Sequence, residues 1–495
     1  MPVSDLYRPA PRYAALTEGF FDAVEPARFP RRDLRFRNQR WAERVGLGEL
    51  DAAEWEAHFA RFEPLPGNLL RPLALRYHGH QFRSYNPNLG DGRGFLFAQI
   101  VDGRDGRLLD LGTKGSGRTP WSRDGDGRLT LKGGVREVLA TEMLEALGVY
   151  TSKTFSLFET GESLHRGDEP SPTRSSVLVR LSHSNIRFGN FQRHAALGEV
   201  DRLRTLVEFA IECHFPHLAS DAVGDAAVAL LGEATARSAA LCASWMAAGF
   251  VHGVLNTDNM NVTGESFDYG PYRFLPTCDL AFTAAYFDHG GLYAYGRQPD
   301  AVFWNLQRFA EALLPLAPAE HLAARLEDFA PLFFRAWRER VIERLGLVPL
   351  GDERDADLLS SCRAFLEESR VGHDLFFFDW YGGAASERRA AASPETGRYE
   401  GAAFAALRRA MDAHEPAPGV PSRLDDAYFQ RARPCTLLID EIEALWAHVA
   451  ERDDWAPFEA KIDEIRAMAV ALGRVWEPPR TSATSGALPS ARDSG

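Results

Sequence analysis

Hydrophobic positions change rhythm along this chain, and the change divides it. Between about residues 75 and 190 they come in short runs bounded by Gly, Asp and Ser. These runs are Gly94-Phe-Leu-Phe-Ala-Gln-Ile-Val101, Arg107-Leu-Leu-Asp-Leu-Gly112, Thr154-Phe-Ser-Leu-Phe158 and Ser176-Val-Leu-Val-Arg180. Such runs predict β-strands. One helix interrupts them: Val135, Val138, Leu139, Met143, Leu144 and Leu147 recur near the 3.6 period, and Gly148 is placed to end it. From Glu199 onward helical periods take over. Leu203, Leu206, Val207, Ala210 and Ile211 make one apolar face, Ala226 to Met246 a long Ala/Leu helix, and Phe303, Leu306, Phe309, Ala310 and Leu313 another. Residues 319–345, 355–370, 401–413 and 436–473 also read as helical, with loops at 383–398 and 415–421. The first part of the chain has no sustained period. The expected division is an extension over 1–72, a β-rich lobe over 73–192, a helical lobe over 193–477 and a disordered tail over 478–495.

Composition changes this picture little. The 495 residues are 45% hydrophobic and 25% charged, ordinary for a globular protein. The formal net charge of −13 argues against non-specific nucleic-acid binding, which needs a basic surface. No run approaches the roughly 20 uninterrupted apolar residues of a membrane span. The first residues, Met1 to Tyr13, have no apolar signal core. Five scattered cysteines form no zinc-like cluster and read as reduced thiols. The expectation is a cytoplasmic protein with neither a nucleic-acid nor a membrane partner.

The candidate chemistry follows the same order. Gly90-Asp-Gly-Arg-Gly94 precedes a strand, where Gly90 and Gly92 let backbone N–H groups approach phosphate and Arg93 adds charge. Lys114 ends the next strand and Glu137 lies in the first turn of the predicted helix. This is the order in which kinases place a phosphate-holding lysine and its orienting glutamate. After the long helix comes His252-Gly-Val-Leu-Asn-Thr-Asp-Asn259. Set against the kinase catalytic loop, His252 and Asn259 are in register. Val254, however, stands where the catalytic Asp belongs. Asp258 supplies an acid beside Asn259 instead, and His252 reads as structural. Asp268-Tyr-Gly270 resembles the metal-binding Asp-Phe-Gly motif, and Asn259 and Asp268 offer hard oxygen ligands. Arg180 and Arg187 lie at the end of the last β-like run and can clamp phosphate oxygens. A β-rich half with one helix followed by a larger helical half, carrying these motifs, predicts an α+β, protein-kinase-like two-lobed fold.

Together these segments resemble the selenoprotein O (SelO, YdiU) family. The resemblance rests on Gly90-Asp-Gly-Arg93, Lys114-Gly-Ser-Gly-Arg-Thr-Pro120, Glu137, Ser182-His-Ser-Asn-Ile-Arg-Phe-Gly189, His252 to Met260 and Asp268-Tyr-Gly-Pro271, from about Leu73 to Gln298. It implies a pseudokinase that transfers AMP from ATP, bound in reverse orientation, to Ser, Thr or Tyr hydroxyls of proteins, releasing pyrophosphate. Carried over, Asp258 would accept the hydroxyl proton and Asn259 and Asp268 would hold Mg²⁺ or Mn²⁺. Lys114, Arg180 and Arg187 would contact phosphates, with Glu137 orienting Lys114. Gly90, Gly92, Arg93, Asp126 and Gly127 would complete the nucleotide site. Many family members carry a redox-active selenocysteine or cysteine near the C-terminus. Here the last cysteine is Cys435, and its pairing with Cys278 is a minor alternative. The alternatives for the whole chain are UMP transfer with Mn²⁺ on the same site, a conventional kinase, and a nucleotide-binding scaffold without catalysis.

Overall fold

The computed structural model describes residues 4–167 and 169–474, so the tail expected over 478–495 lies outside the described residues. The strands are β1 (Phe21–Ala23), β2 (Asp33–Arg37), β3 (Leu73–Leu75), β4 (Gly79–Gln81), β5 (Ser84–Asn86), β6 (Leu96–Val101), β7 (Leu108–Lys114), β8 (Leu129–Thr130), β9 (Lys153–Leu164), β10 (Thr173–Ser182), β11 (Phe250–Val251) and β12 (Arg273–Phe274). Eight of them form one antiparallel sheet in the order β1-β3-β6-β7-β10-β9-β2, with β8 paired to β10. The expected strand runs all fall in this sheet. The first 72 residues supply both of its edge strands, β1 and β2. They also supply helices α1 (Gln39–Arg44) and α2 (Ala52–Phe59).

The strand runs are continuously apolar because both faces of the sheet are covered. Side chains alternate across a strand, and here the alternation sorts them into two cores. Phe97, Val177, Val179 and Phe158 pack with Trp55 and Phe59 of α2. Leu96, Leu178 and Leu157 pack on the opposite side with helix α3 (Leu131–Ala146) and the helical part of the chain. Thr130 caps α3, its side chain accepting from Gly133 N. Gly148 ends it with φ +79°, a left-handed conformation suited to glycine. Gly134 has a different reason: a Cβ there would stand 2.5 Å from Leu157 Cδ1, so the helix seats on the sheet only without one.

The helical part runs from α4 (Phe188–Ala196), α5 (Val200–His214) and α6 (Val223–Ala248) through α7 (Gln298–Leu313), α8 (Ala319–Glu327) and α9 (Phe329–Arg344). It continues with α10 (Asp352–Ser369), α11 (His373–Asp379), α12 (Glu387–Ala391), α13 (Gly401–Asp412), α14 (Val420–Arg423), α15 (Ile439–Arg452) and α16 (Ala456–Ala471). By length and hydropathy α6 alone among the described residues could cross a membrane, yet most of its apolar stretch is buried against neighbouring helices. Three details differ from the sequence reading. The stretch 436–473 is two helices, broken at Asp453 with φ +51°. The stretch 319–345 divides at Asp328. The Ala- and Gly-rich segments at 383–398 and 415–421 contain the short helix α12 and the start of α14. All five cysteines are free thiols, Cys278 and Cys435 included.

Candidate functional site

The site is assembled where the sheet meets the helical part. Gly112 pairs directly with Arg180, and Lys114 with Leu178, on β7 and β10. Directly opposed residues of an antiparallel pair share a face, so Lys114 and Arg180 both project toward α3. From α3, Glu137 meets them. Lys114 Nζ lies 2.5 Å from Glu137 Oε1 and 2.5 Å from Asp268 Oδ1. Arg180 Nη2 lies 3.5 Å from the same two side chains. Glu137 stands in the second turn of α3, not the first, because the helix begins at Leu131. It is therefore placed by the helix face and not by the helix end.

Asp268 has φ +64°, rare for a residue with a side chain. Burial pulls its carboxyl upward, but the Lys114, Arg180 and Arg93 cations hold it well below the usual range. His252 holds the adjoining backbone: its Nε2 is 3.0 Å from the Phe267 carbonyl, and burial lowers its pKa. That is the structural role expected of it. Arg136, beside Glu137 in the sequence, donates to the carbonyls of Gly270 (3.2 Å) and Tyr272 (3.0 Å). Tyr272 Oη donates back to the Arg136 carbonyl at 2.9 Å. The helix and the Asp268 segment are thereby fixed to each other. Arg136→Ala is expected to cost about 1–3 kcal/mol of stability, since it leaves the buried Tyr272 carbonyl without this donor. A thermal melt checks this.

Asp258 completes the group. Its side chain is buried, and Oδ1 has no hydrogen-bond partner among the described residues. Burial, opposed in part by Arg187, pushes its pKa up to about 6. Arg187 Nη1 donates to the Asp258 carbonyl and to Tyr77 Oη, each at 3.1 Å, and Nη2 is 3.4 Å from Asp91 Oδ1. Asn259 donates Nδ2 to the Val254 carbonyl at 3.0 Å, which leaves Oδ1 as its free acceptor. Asn259 and Asp268 each carry an oxygen of the hard type that a small divalent cation takes. Among the described residues no group of three His, Cys, Asp or Glu side chains could hold one alone. Mg²⁺ bound through one or two protein oxygens takes the rest of its shell from phosphate and water.

The glycine loops are less direct. A Cβ on Gly90 would meet the Trp121 ring at 2.4 Å, and one on Gly92 the Trp121 carbonyl at 2.7 Å. Gly127 (φ +70°) packs in the same way on Gly117. These glycines let the 90–94 and 115–127 loops close on each other. Arg93 is exposed above them. Asp126 is held by Arg166 at 2.8 and 3.0 Å, and the structure does not bring it into hydrogen-bonding contact with the Lys114 cluster.

Sequence reasoning missed three contributors. Asp91 pairs with Arg187 at 3.4 Å. Phe267 lies under both arginines, 5.6 Å from Arg180 Cζ and 5.0 Å from Arg187 Cζ. Gly79 lies over the acid, where a Cβ would stand 3.2 Å from Asp258 Oδ1. Gly79→Val is expected to crowd Thr257 and Asp258 and to lower the melting temperature, as a thermal melt would show.

Residues 6–466 match the family model described as "Protein adenylyltransferase SelO". A protein nucleotidyltransferase YdiU of Synechocystis sp. is 44% identical over 92% of this chain and 97% of its own. One from Gloeobacter violaceus is 43% identical over 92% and 94%. One from Trichormus variabilis is 48% identical over 74% and 75%. A match over nearly the whole described chain, with relatives at this identity and coverage, places the chain in the SelO (YdiU) family of protein nucleotidyltransferases.

Proposed function

We propose that the protein transfers AMP from ATP to Ser, Thr or Tyr hydroxyls of other proteins, with Asp258 as the proton acceptor. The observation that carries this reading is the buried Asp258 carboxylate with an unpartnered Oδ1, next to a cation-lined group and a valine at the kinase base position. The reading includes a kinase-like relation between the sheet and the helical part. In it, Lys114, Glu137, Asn259 and Asp268 take the positions of the strand lysine, helix glutamate, loop asparagine and metal-binding aspartate.

In this account Lys114, Arg180 and Arg187 bind the phosphates, with Arg93 at the rim and Glu137 keeping Lys114 extended. The loops tied by Gly90, Gly92 and Gly127 cover the nucleotide, and Asp126 with Arg166 braces them. Asn259 and Asp268 would hold Mg²⁺ or Mn²⁺, which supplies charge neutralisation on the phosphates. The acceptor oxygen bonds to the α-phosphorus as its proton passes to Asp258 Oδ1. The α–β bridging P–O bond breaks, and pyrophosphate leaves with that electron pair. Fixed cations are suited to this work because nucleotidyl transfer depends mainly on position and charge.

A raised carboxyl pKa means that Asp258 is ionised, and able to take a proton, only above about pH 6. The predicted kcat/KM therefore falls about tenfold per pH unit below that point and levels off above it. Residual activity of Asp258→Asn should lack this limb. The reaction itself is tested with ATP labelled at either the α- or the γ-phosphate. Label reaching protein from the α-position supports the reading, and label arriving only from the γ-position makes the protein a kinase.

A further inference from the structure

A cavity among the described residues lies away from this site. It has a volume of about 640 Å³ and sits between the back of α3, α9 and α16. That size is within the roughly 300–1,000 Å³ of small-molecule pockets. Seven basic side chains line it against four carboxylates, in a chain whose formal net charge is −13. The carboxylates toward α3 are already matched, Glu142 by Arg466 at 2.8 Å and Glu145 by Arg40 at 2.7 Å. At the other end Arg344 is matched by Asp374, and Arg340, Arg423 and Arg474 stand with Glu339 and Glu343. There Glu343 is shared by Arg340 (2.8 Å) and Arg474 (2.5 Å). Nearby Arg423 has the Tyr381 hydroxyl at 3.4 Å as its hydrogen-bond partner.

Two glycines build this end. Gly148 (φ +79°) would bring a Cβ within 2.4 Å of Arg474 Nη1, and Gly473 (φ +69°) within 2.2 Å of Arg423 Cζ. Each guanidinium therefore lies flat on backbone that only glycine leaves open. Planar, fixed guanidinium groups around one carboxylate fit phosphate oxygens bidentately, and Leu147, Ile465 and Leu472 offer apolar wall to an organic group. We infer that this cavity binds a small phosphate-bearing metabolite of nucleotide size, held by Arg340, Arg423 and Arg474. Its inner wall is the helix that carries Glu137, so an occupant would brace the helix that orients Lys114.

The probe is ADP, titrated calorimetrically into the full chain, the double variant Arg423→Ala/Arg474→Ala, and Ala469→Trp, which fills the cavity without removing charge. The wild type is expected to bind two ADP per chain, and each variant to lose one equivalent or weaken it at least tenfold. If the wild type binds a single ADP that both variants lose, the cavity stands and the catalytic-cleft reading does not. Binding that neither variant changes overturns the inference. So does citrate displacing ADP from the cavity with equal affinity, because phosphate would then not be what is recognised. ADP binding there only after truncation at Arg474 also overturns it, because residues 475–495 would then be the occupant.

Discussion

Asp258→Ala is expected to lower nucleotidyl transfer by about 10²- to 10⁴-fold, the usual worth of a positioned general base, while ATP still binds. The reason is geometric. The carboxylate's Oδ1 has no partner to release, and the backbone hydrogen bond its carboxyl accepts comes from Asp258's own N–H. Arg187 reaches the Asp258 backbone carbonyl, which alanine keeps. Isothermal titration with ATP separates the two effects: an unchanged Kd beside a collapsed kcat is the expected pair. A parallel loss of binding would mean that Asp258 grips the nucleotide and does not serve the acceptor. Asp258→Asn removes the base with almost the same shape. It should match the alanine variant in rate and be no less stable than wild type near pH 7.5, because burial of an ionised carboxylate is relieved.

Lys114→Ala should have the second large effect, on stability and on activity together. It leaves Glu137 and Asp268 facing one another, with Arg180 at 3.5 Å from both and Arg93 acting on Asp268 as the counter-charges that remain. Breaking a buried pair by deleting one partner costs about 3–5 kcal/mol, which a denaturant melt would register. Transfer should fall by at least about 10²-fold, with weaker ATP binding. The double variant Lys114→Met/Glu137→Gln discriminates between the two effects. Removing both charges should restore most of the stability but none of the activity. Recovery of activity with stability would mean that Lys114 serves only the fold.

The chemistry of this site was more legible in the sequence than its architecture. Lys114, Glu137, Asn259 and Asp268 could be read because each sits at a fixed interval from a strand or helix whose period is clear. Arg180 and Arg187 were legible as charges at the end of such a strand. What brings Arg180 to Lys114, the antiparallel register of β7 on β10, is a non-local pairing that local periodicity does not encode. For the same reason the edge strands β1 and β2 were invisible. They are three and five residues long, and their partners, β3 and β9, lie far along the chain. The αL residue Asp453 split a helical pattern that apolar spacing carried straight through. Asp91, Phe267 and Gly79 matter only through what packs against them. Gly90 and Gly92, read as phosphate-facing, are first required by Trp121.

The central claim is that a kinase-like set of groups with a displaced acid moves AMP to a protein hydroxyl. Intact-mass spectrometry of the full chain and an acceptor protein, after incubation with ATP and Mg²⁺ or Mn²⁺, tests it most directly. The account predicts a mass gain of one AMP unit on protein, equimolar pyrophosphate, and neither with Asp258→Ala. A gain of one phosphate, or an AMP adduct that persists undiminished in Asp258→Ala, would contradict it.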